Sequence, residues 1–139
     1  MGTMLRISEA GSMGLHAAAI LAANPDRLVP ATDMASALGV SEAHLSKVLQ
    51  RLVHAGLVES VRGRTGGFRL AKDGRKTALL DVYEAIEGKL SPGECLLRRR
   101  VCDGKRCILG KLVHSVNEKV REYLVHTRLA QLAAVKGKA

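Results

Sequence analysis

Two short segments of helical periodicity, separated by a glycine, constrain the fold of this chain most strongly. Residues 32–38 predict a helix with Thr32 as its N-cap. Ser41 can cap a second helix, which runs to about Ala55 with leucine or valine every three or four positions, and Gly56 is its expected stop. A helix, a glycine-containing turn and a second helix form the helix-turn-helix pattern, although a generic helical hairpin would look similar.

A glycine-rich hairpin is predicted directly after the second helix. Residues 57–61 and 67–71 have the composition of two short strands. The tip between them consists of Arg62, Gly63, Arg64, Thr65 and Gly66. Glycine lets a backbone approach DNA closely, and arginine can enter a narrow minor groove. A solvated hairpin tip is the alternative, but its place after a helix-turn-helix favours a wing.

Three further helices are predicted around this unit. The first covers residues 8–23 and ends before Asn24-Pro25, because the residue before proline avoids the helical region. The second covers residues 77–87 and is closed by Gly88. The third is a long helix over residues 107–132. The sequence therefore predicts a mainly α fold with a small β-hairpin wing.

The long helix carries a heptad-like row of apolar residues. The row steps by 4, 3, 4 and 3 positions and consists of Leu109, Val113, Val116, Val120 and Tyr123. Such spacing suits pairing with another helix, so we expect a homodimer, although the row could instead pack on its own domain. The predicted organisation is a winged helix-turn-helix domain (residues 4–90), a cysteine-bearing sensor loop (91–106), a dimerisation helix (107–132) and a disordered tail (133–139).

The charge balance favours a polyanionic partner. Lys and Arg total 22 against 13 Asp and Glu, which gives a formal net charge of +9, and neutralising phosphates releases counterions. One Phe, two Tyr and no Trp leave little material for base stacking, so a DNA duplex is favoured over single strands. The sequence has no 18-residue apolar stretch and no signal-peptide pattern. We therefore expect a cytoplasmic protein that does not enter a membrane.

The second helix of the motif is expected to read the major groove of an operator. The predicted DNA contacts are Ser41, Glu42, His44, Ser46, Lys47 and Arg51 on this helix, and Arg62, Arg64, Thr65 and Gly66 in the wing. Ser41 and Lys47 can hold phosphates. His44 and Ser46 can reach base edges, and Glu42 can accept from a cytosine amino group.

The run LGVSEAHLSKVLQRLVHAGLVESVRGRTGGFRLAKD resembles the Rrf-two family of winged-helix regulators, of the IscR, NsrR and CymR type. The resemblance extends over roughly residues 4–125, and its most specific part is the second helix together with the R-G-x-x-G-G wing. It implies a dimeric regulator, a repressor or an activator, whose wing arginine matches Arg62 and enters the minor groove.

Three cysteines, Cys95, Cys102 and Cys107, follow the predicted winged domain. In a reducing compartment an odd number of cysteines suggests metal ligands or redox thiols. The resemblance implies an iron–sulfur cluster, usually 2Fe–2S, and thiolates are the usual ligands of such clusters. The spacing of six and then four residues departs from the family pattern of about five and five.

The fourth ligand of such a cluster is not evident from the sequence. A histidine often follows the third cysteine by three positions in the family, and Gly110 stands there in this chain. Other members use a carboxylate from the partner's first helix, at the position that matches Ser12. Glu9, His16 and His114 are candidate substitutes, and a small molecule or water could also take the position. A thiol redox switch, structural zinc, an inert remnant and control by a protein partner remain alternatives.

An enzyme is not indicated. The sequence contains no nucleophile–base signature, no phosphate-binding G-x-x-x-x-G-K-[ST] loop and no paired carboxylates.

Overall fold

Helices form most of the regular secondary structure among the described residues. The computed structural model describes residues 6–90, 95, 97, 99, 101–103 and 105–132. The elements in chain order are α1 (Glu9–Ala23), α2 (Ala31–Leu38), α3 (Glu42–His54), β1 (Val58–Val61), β2 (Gly67–Leu70), a 3₁₀ turn (Gly74–Lys76), α4 (Leu79–Glu87), α5 (Leu112–His126) and α6 (Leu129–Leu132). The predicted fold class, mainly helical with one hairpin, is confirmed within the described residues.

Side-chain caps fix the starts of α1 and α3. The hydroxyl of Ser8 accepts from the backbone N–H of Gly11 at 3.0 Å. Ser41 accepts from that of His44 at 3.4 Å, as predicted. The predicted cap at Thr32 is wrong, because α2 begins one residue earlier and Thr32 lies in its first turn. Pro30 stands at the N-cap instead, and its carbonyl accepts from the backbone N–H of residues 33 and 34.

The predicted continuous helix over residues 107–132 is wrong. Residues 108–111 form turns, α5 begins only at Leu112, and the chain leaves the helix at Thr127. Two backbone hydrogen bonds hold this break: Leu79 N–H donates to Thr127 and Leu129 N–H donates to Thr77, both at 3.0 Å. The chain then turns back, and the short helix α6 packs on α1. The predicted tail, residues 133–139, lies outside the described residues.

The two strands form an antiparallel hairpin in the register Val58↔Leu70 to Val61↔Gly67. A third segment extends this small sheet, because Val29 and Phe68 exchange two backbone hydrogen bonds at 2.9 Å. Phe68 and Val58 are buried, Leu70 is half-buried against the core, and Glu59, Ser60, Val61 and Arg69 are exposed. The base of the wing is therefore part of the core, whereas its tip is not.

The core is aliphatic, as the shortage of aromatic residues requires. Its fully buried large side chains come from α1, α2, α3, α4, α6 and the segment before α2, and they are Leu21, Val29, Met34, Leu45, Leu49, Leu52, Val82 and Leu129. Burying such side chains supplies the main driving force for folding. No helix in the described ranges is both long enough and apolar enough to cross a membrane.

Candidate nucleic-acid interface

The exposed face of α3 carries a row of basic residues. His44, Lys47, Arg51 and His54 are exposed and follow one another at steps of three, four and three positions, which places them on one side of a helix. The buried residues of α3 occupy the opposite side: Leu45, Val48, Leu49 and Leu52. The burial of this apolar face fixes the orientation of the basic row toward solvent. Sequence reasoning missed His54, although the same spacing could have identified it.

The predicted DNA-contacting residues of α3 are not equivalent in the structure. Glu42, His44 and Lys47 are exposed, whereas Ser46 is half-buried. The Ser41 oxygen accepts the capping hydrogen bond, and its O–H group is a further donor. Arg51 is also exposed, but its Nη1 donates to the backbone carbonyl of Ile86 at 3.1 Å, so part of its guanidinium is already bound within the protein.

The wing tip is shaped by glycine and presents two arginines. Arg62, Arg64 and Thr65 are exposed. The backbone N–H of Gly66 donates to the Gly63 carbonyl at 3.0 Å and closes the turn. A Cβ atom at Gly66 would lie 2.1 Å from the Val61 carbonyl oxygen, so only glycine fits there. Glycine at position 66 therefore permits the tight turn that carries the exposed side chains of Arg62 and Arg64.

An ion pair stiffens the stem of the wing, and the sequence reading did not single it out. Arg69 Nε lies 2.9 Å from a carboxylate oxygen of Glu59, its directly paired residue on the neighbouring strand. Both side chains are about half exposed, at 52% and 48%. Exposed pairs of this kind contribute about 0.2–1 kcal/mol. Opposite charges at a cross-strand pair are the sequence signal that could have identified it.

The three cysteines follow the winged unit but do not form an assembled metal site. Cys95 and Cys102 are exposed and Cys107 is half-buried. Cys95 Sγ accepts from the backbone N–H of Leu97 at 3.4 Å. Among the residues that the structure describes, no three His, Cys, Asp or Glu side chains come together as metal ligands. Thiolates suit an iron–sulfur group chemically, but the described positions do not by themselves fit one.

The candidate fourth ligands on the protein lie on two helices. Glu9 and His16 are on α1, which also carries Ser12 at the position that matches the family's carboxylate, and His114 is on α5. Nδ1 of His16 lies 2.7 Å from the Ser12 carbonyl oxygen. A carbonyl only accepts, so Nδ1 carries the proton and Nε2 has the free lone pair when the ring is neutral.

The predicted dimerisation residues divide into two groups. Val116 and Tyr123 are exposed, at 45% and 60%. Leu109, Val113 and Val120 are half-buried, and Val120 packs against the core of its own chain. Two apolar residues absent from the prediction are more exposed than Val116: Leu112 at 57% and Ile108 at 94%.

We call the exposed apolar residues of this region the α5 ridge. The ridge consists of Ile108, Leu112, Val116 and Tyr123. The first three are spaced by four residues, which places the two on α5, Leu112 and Val116, on one face. An apolar groove of about 690 Å³ lies beside the ridge, between α4, α5 and the segment before α1. Val116 and Tyr123 belong to the ridge and also line this groove.

The chain matches known transcriptional regulators in sequence. Residues 7–135 match the model of the Rrf2 family, described as "Iron-dependent Transcriptional regulator". The HTH-type transcriptional regulator BadM of Rhodopseudomonas palustris is 46% identical over 83 residues, which are 60% of this chain and 53% of BadM. IscR of Photobacterium profundum is 32% identical over 107 residues, which are 77% of this chain and 62% of that protein. The chain thus spans between half and two thirds of these relatives' lengths.

Solved structures show the same architecture over nearly the whole chain. CymR of B. subtilis, described as the global cysteine regulator, superposes with a TM-score of 0.77 at 31% identity, covering 96% of this chain and 99% of CymR. IscR of T. potens superposes with a TM-score of 0.72 at 27% identity, covering 96% and 90% of the two chains. These relatives are regulators, and the prediction of a regulator rather than an enzyme is confirmed. With a family match over residues 7–135, this chain belongs to the Rrf2 family of transcriptional regulators.

Proposed function

We propose that the chain is a sequence-specific, DNA-binding repressor that acts as a homodimer on a double-stranded operator in the cytoplasm. The observation that carries the proposal is the combination of a basic, exposed face on α3 with a wing whose glycine turn exposes Arg62 and Arg64. A helix-turn-helix places its second helix in the major groove, with the N-terminal residues nearest the bases. Here those residues are Ser41, Glu42 and His44.

The exposed residues divide into two roles in this proposal. Lys47 and the Ser41 hydroxyl hold phosphates and fix the register of α3 on the duplex. His44 and Glu42 face base edges. Ser46 is half-buried, so it contacts a base only where α3 lies deepest in the major groove. Arg62 enters the minor groove beside the major groove that α3 occupies, and Arg64 and Thr65 contact the adjacent phosphates. Gly66, whose N–H already donates to the Gly63 carbonyl, lets the tip approach the duplex closely.

The salt dependence of DNA binding tests the docking face. Duplexes selected from a random pool supply the operator, and fluorescence anisotropy gives the dissociation constant over a range of salt concentrations. Each lost phosphate contact lowers the slope of log affinity against log salt by about 0.9. We expect Lys47→Ala to lower the slope by about one, and Arg62→Ala and Arg64→Ala to weaken operator binding. Arg121→Ala, at an exposed position on α5, is the matched control. Parental binding by all three wing and helix variants would refute this docking face.

Dimer formation is proposed to use the α5 ridge. Large exposed apolar residues in a row mark an interaction surface. A two-fold dimer brings the same surface of each copy together and spaces two recognition helices along the duplex. The exposed residues Val116 and Tyr123 belong to both the predicted row and the ridge, and they form its proposed centre.

The cysteine segment is proposed to be the sensor, with Cys95, Cys102 and Cys107 as ligands of a 2Fe–2S cluster. The support is the thiolate donor set, the basic residues Lys105 and Arg106 beside Cys107, and the description of the family as iron-dependent. Because the described residues do not hold the cysteines together, ligand binding requires this segment to fold around the group, which couples binding to local order.

Spectroscopy on protein purified without oxygen separates the sensor alternatives. Visible charge-transfer bands, with iron and acid-labile sulfide near two per chain, would support the cluster, and Cys102→Ser should abolish them. An iron-free protein that resists reconstitution would refute the cluster and leave the DNA-binding proposal standing. Thiol oxidation or a protein partner would then provide the control. A stable complex formed by the metal-free protein would favour the partner.

A further inference from the structure

Arg51 connects α3 to the C-terminal end of α4. Its Nη1 donates to the carbonyl oxygen of Ile86, a residue 35 positions away in sequence. The last four carbonyls of an α-helix lack a partner inside the helix, and Ile86 is the penultimate residue of α4. The guanidinium satisfies one of these carbonyls, and its positive charge lies at the negative end of the α4 dipole.

The same turn of α4 also holds α1. The side chain of Ile86 is 8% exposed and lies 3.0 Å from the place where a Cβ on Gly14 would be. The neighbouring carboxylate of Glu87 accepts a hydrogen bond from the hydroxyl of Ser8, the residue that caps α1. Two consecutive residues therefore bind both helices that pack against α4 in the winged domain.

The chain runs from this turn directly into the cysteine segment. Gly88 ends α4, and its N–H donates to the carbonyl of Glu84 at 2.9 Å. The N–H of Leu90 donates to the carboxylate of Glu84 at 2.8 Å. Cys95 follows Leu90 by five positions. The turn that Arg51 holds is therefore the described part of the winged domain that precedes Cys95 most closely along the chain.

We propose that Arg51 is a positioning residue rather than a phosphate ligand, and that it couples the orientation of α3 to the end of α4 and so to the cysteine segment. The inference rests on the proposed DNA-binding function and revises one member of the predicted contact set. Removing the Arg51 side chain changes how α3 is held, but not the number of phosphates that the protein neutralises. The loss should therefore fall on sequence discrimination.

Two matched variants of the full chain, Arg51→Gln and Lys47→Gln, distinguish positioning from phosphate contact. Each removes one charge from the same face of α3. For Arg51→Gln we expect operator affinity about tenfold lower, because operator binding must then supply the free energy of one charge-assisted hydrogen bond to hold α3 in its binding orientation. We expect its affinity for random duplex to stay within about twofold of the parent and its salt slope to be unchanged. For Lys47→Gln we expect both affinities to fall and the slope to drop by about one. Arg51→Gln behaving like Lys47→Gln would overturn the proposal.

The coupling is tested by alkylating the cysteines with iodoacetamide. In the parent, alkylation should change operator affinity. The ratio of operator affinity before alkylation to that after it should approach one in Arg51→Gln and keep its parental value in Lys47→Gln. A ratio of one in the parent, or an unaltered ratio in Arg51→Gln, would overturn the coupling.

Amide hydrogen exchange tests the link itself without DNA. Arg51→Gln should raise the exchange rates of the Gly88 and Leu90 amides about tenfold, and Lys47→Gln should leave them unchanged. Parental rates in Arg51→Gln would overturn the link even if operator binding is found. A parent that binds no selected duplex, together with raised exchange, would instead refute the proposed function while the link stands.

Discussion

Replacing Gly66 by alanine should open the turn of the wing. We expect a large loss of DNA affinity but only a limited loss of fold stability. The added Cβ would lie 2.1 Å from the Val61 carbonyl oxygen, 2.9 Å from the Arg62 carbonyl carbon and 2.9 Å from the Gly63 carbonyl oxygen. All three neighbours are backbone atoms, so no side-chain rotation relieves the overlap. The turn must therefore move, and the 3.0 Å hydrogen bond from Gly66 to Gly63 is the first contact to break.

The expected cost to stability is limited because the tip is exposed. Breaking that hydrogen bond and weakening the adjacent Val61↔Gly67 pair costs about 0.5–1.5 kcal/mol for each, so the total is about 1–3 kcal/mol. For a chain of this size the midpoint of thermal unfolding should fall by about 3–12 °C. Phe68 and Val58, which are buried at the wing base, should keep the core intact.

The matched control is Gly39→Ala. Gly39 has φ +65°, and no atom lies within 4 Å of the place where its Cβ would be, so alanine there costs only the left-handed backbone energy, about 1 kcal/mol. Anisotropy titrations below both melting points should show operator affinity about tenfold or more lower for Gly66→Ala and unchanged for Gly39→Ala. Parental affinity and melting in Gly66→Ala would refute the turn geometry. Loss of helical circular dichroism would refute the separation of tip and core.

Three further outcomes follow from the same structure. Leu45→Ala, at a fully buried position, should lower the free energy of unfolding by about 2–5 kcal/mol. Leu112→Ala, at 57% exposure, should lower it by less than about 0.5 kcal/mol when urea unfolding is measured on the monomer. Equal losses in the two variants would contradict the assigned core. Tyr123→Glu should shift sedimentation from dimer to monomer, and Arg121→Glu, on the same helix, should not; a dimeric Tyr123→Glu would exclude the α5 ridge. Glu59→Gln should change the free energy of unfolding by less than about 1 kcal/mol, because its partner Arg69 is half exposed; a loss above about 2 kcal/mol would show a larger role for the pair.

Local signals made the winged unit predictable. Ser41 before a run of 3–4 spaced leucines and valines, and Gly56 after it, mark α3 within a residue of its observed bounds. The cap at Thr32 failed because α2 begins at Ala31 and has no side-chain cap, so no capping residue type marks its start. The hydrogen bond from Arg51 to Ile86 could not be predicted, since the two residues are joined only by the tertiary fold.

The error at the long helix has a comparable cause. At the start of the predicted helix, Gly110 is a local signal that the prediction overlooked, and its backbone has a positive φ of 59°. Around Thr127 there is no glycine or proline, so nothing local predicts the second interruption. The break depends on hydrogen bonds to Thr77 and Leu79, about 50 residues earlier. The position of the ridge could not be predicted either, because Val120 and Tyr123 belong to the same apolar row but only Val120 faces its own core.

The packing of α6 on α1 also determines when, during synthesis of the chain, the core can be completed. Leu129 is 1% exposed and belongs to the same core as Met13, Ala17 and Leu21, so one face of α1 is completed by α6. A contact between residues more than 100 positions apart carries a high loop-closure entropy and forms late. A nascent chain that ends before residue 129 leaves part of α1 without its partner, and such chains expose apolar surface to chaperones and to one another. The core that the structure describes is therefore complete only once α6 has packed on α1.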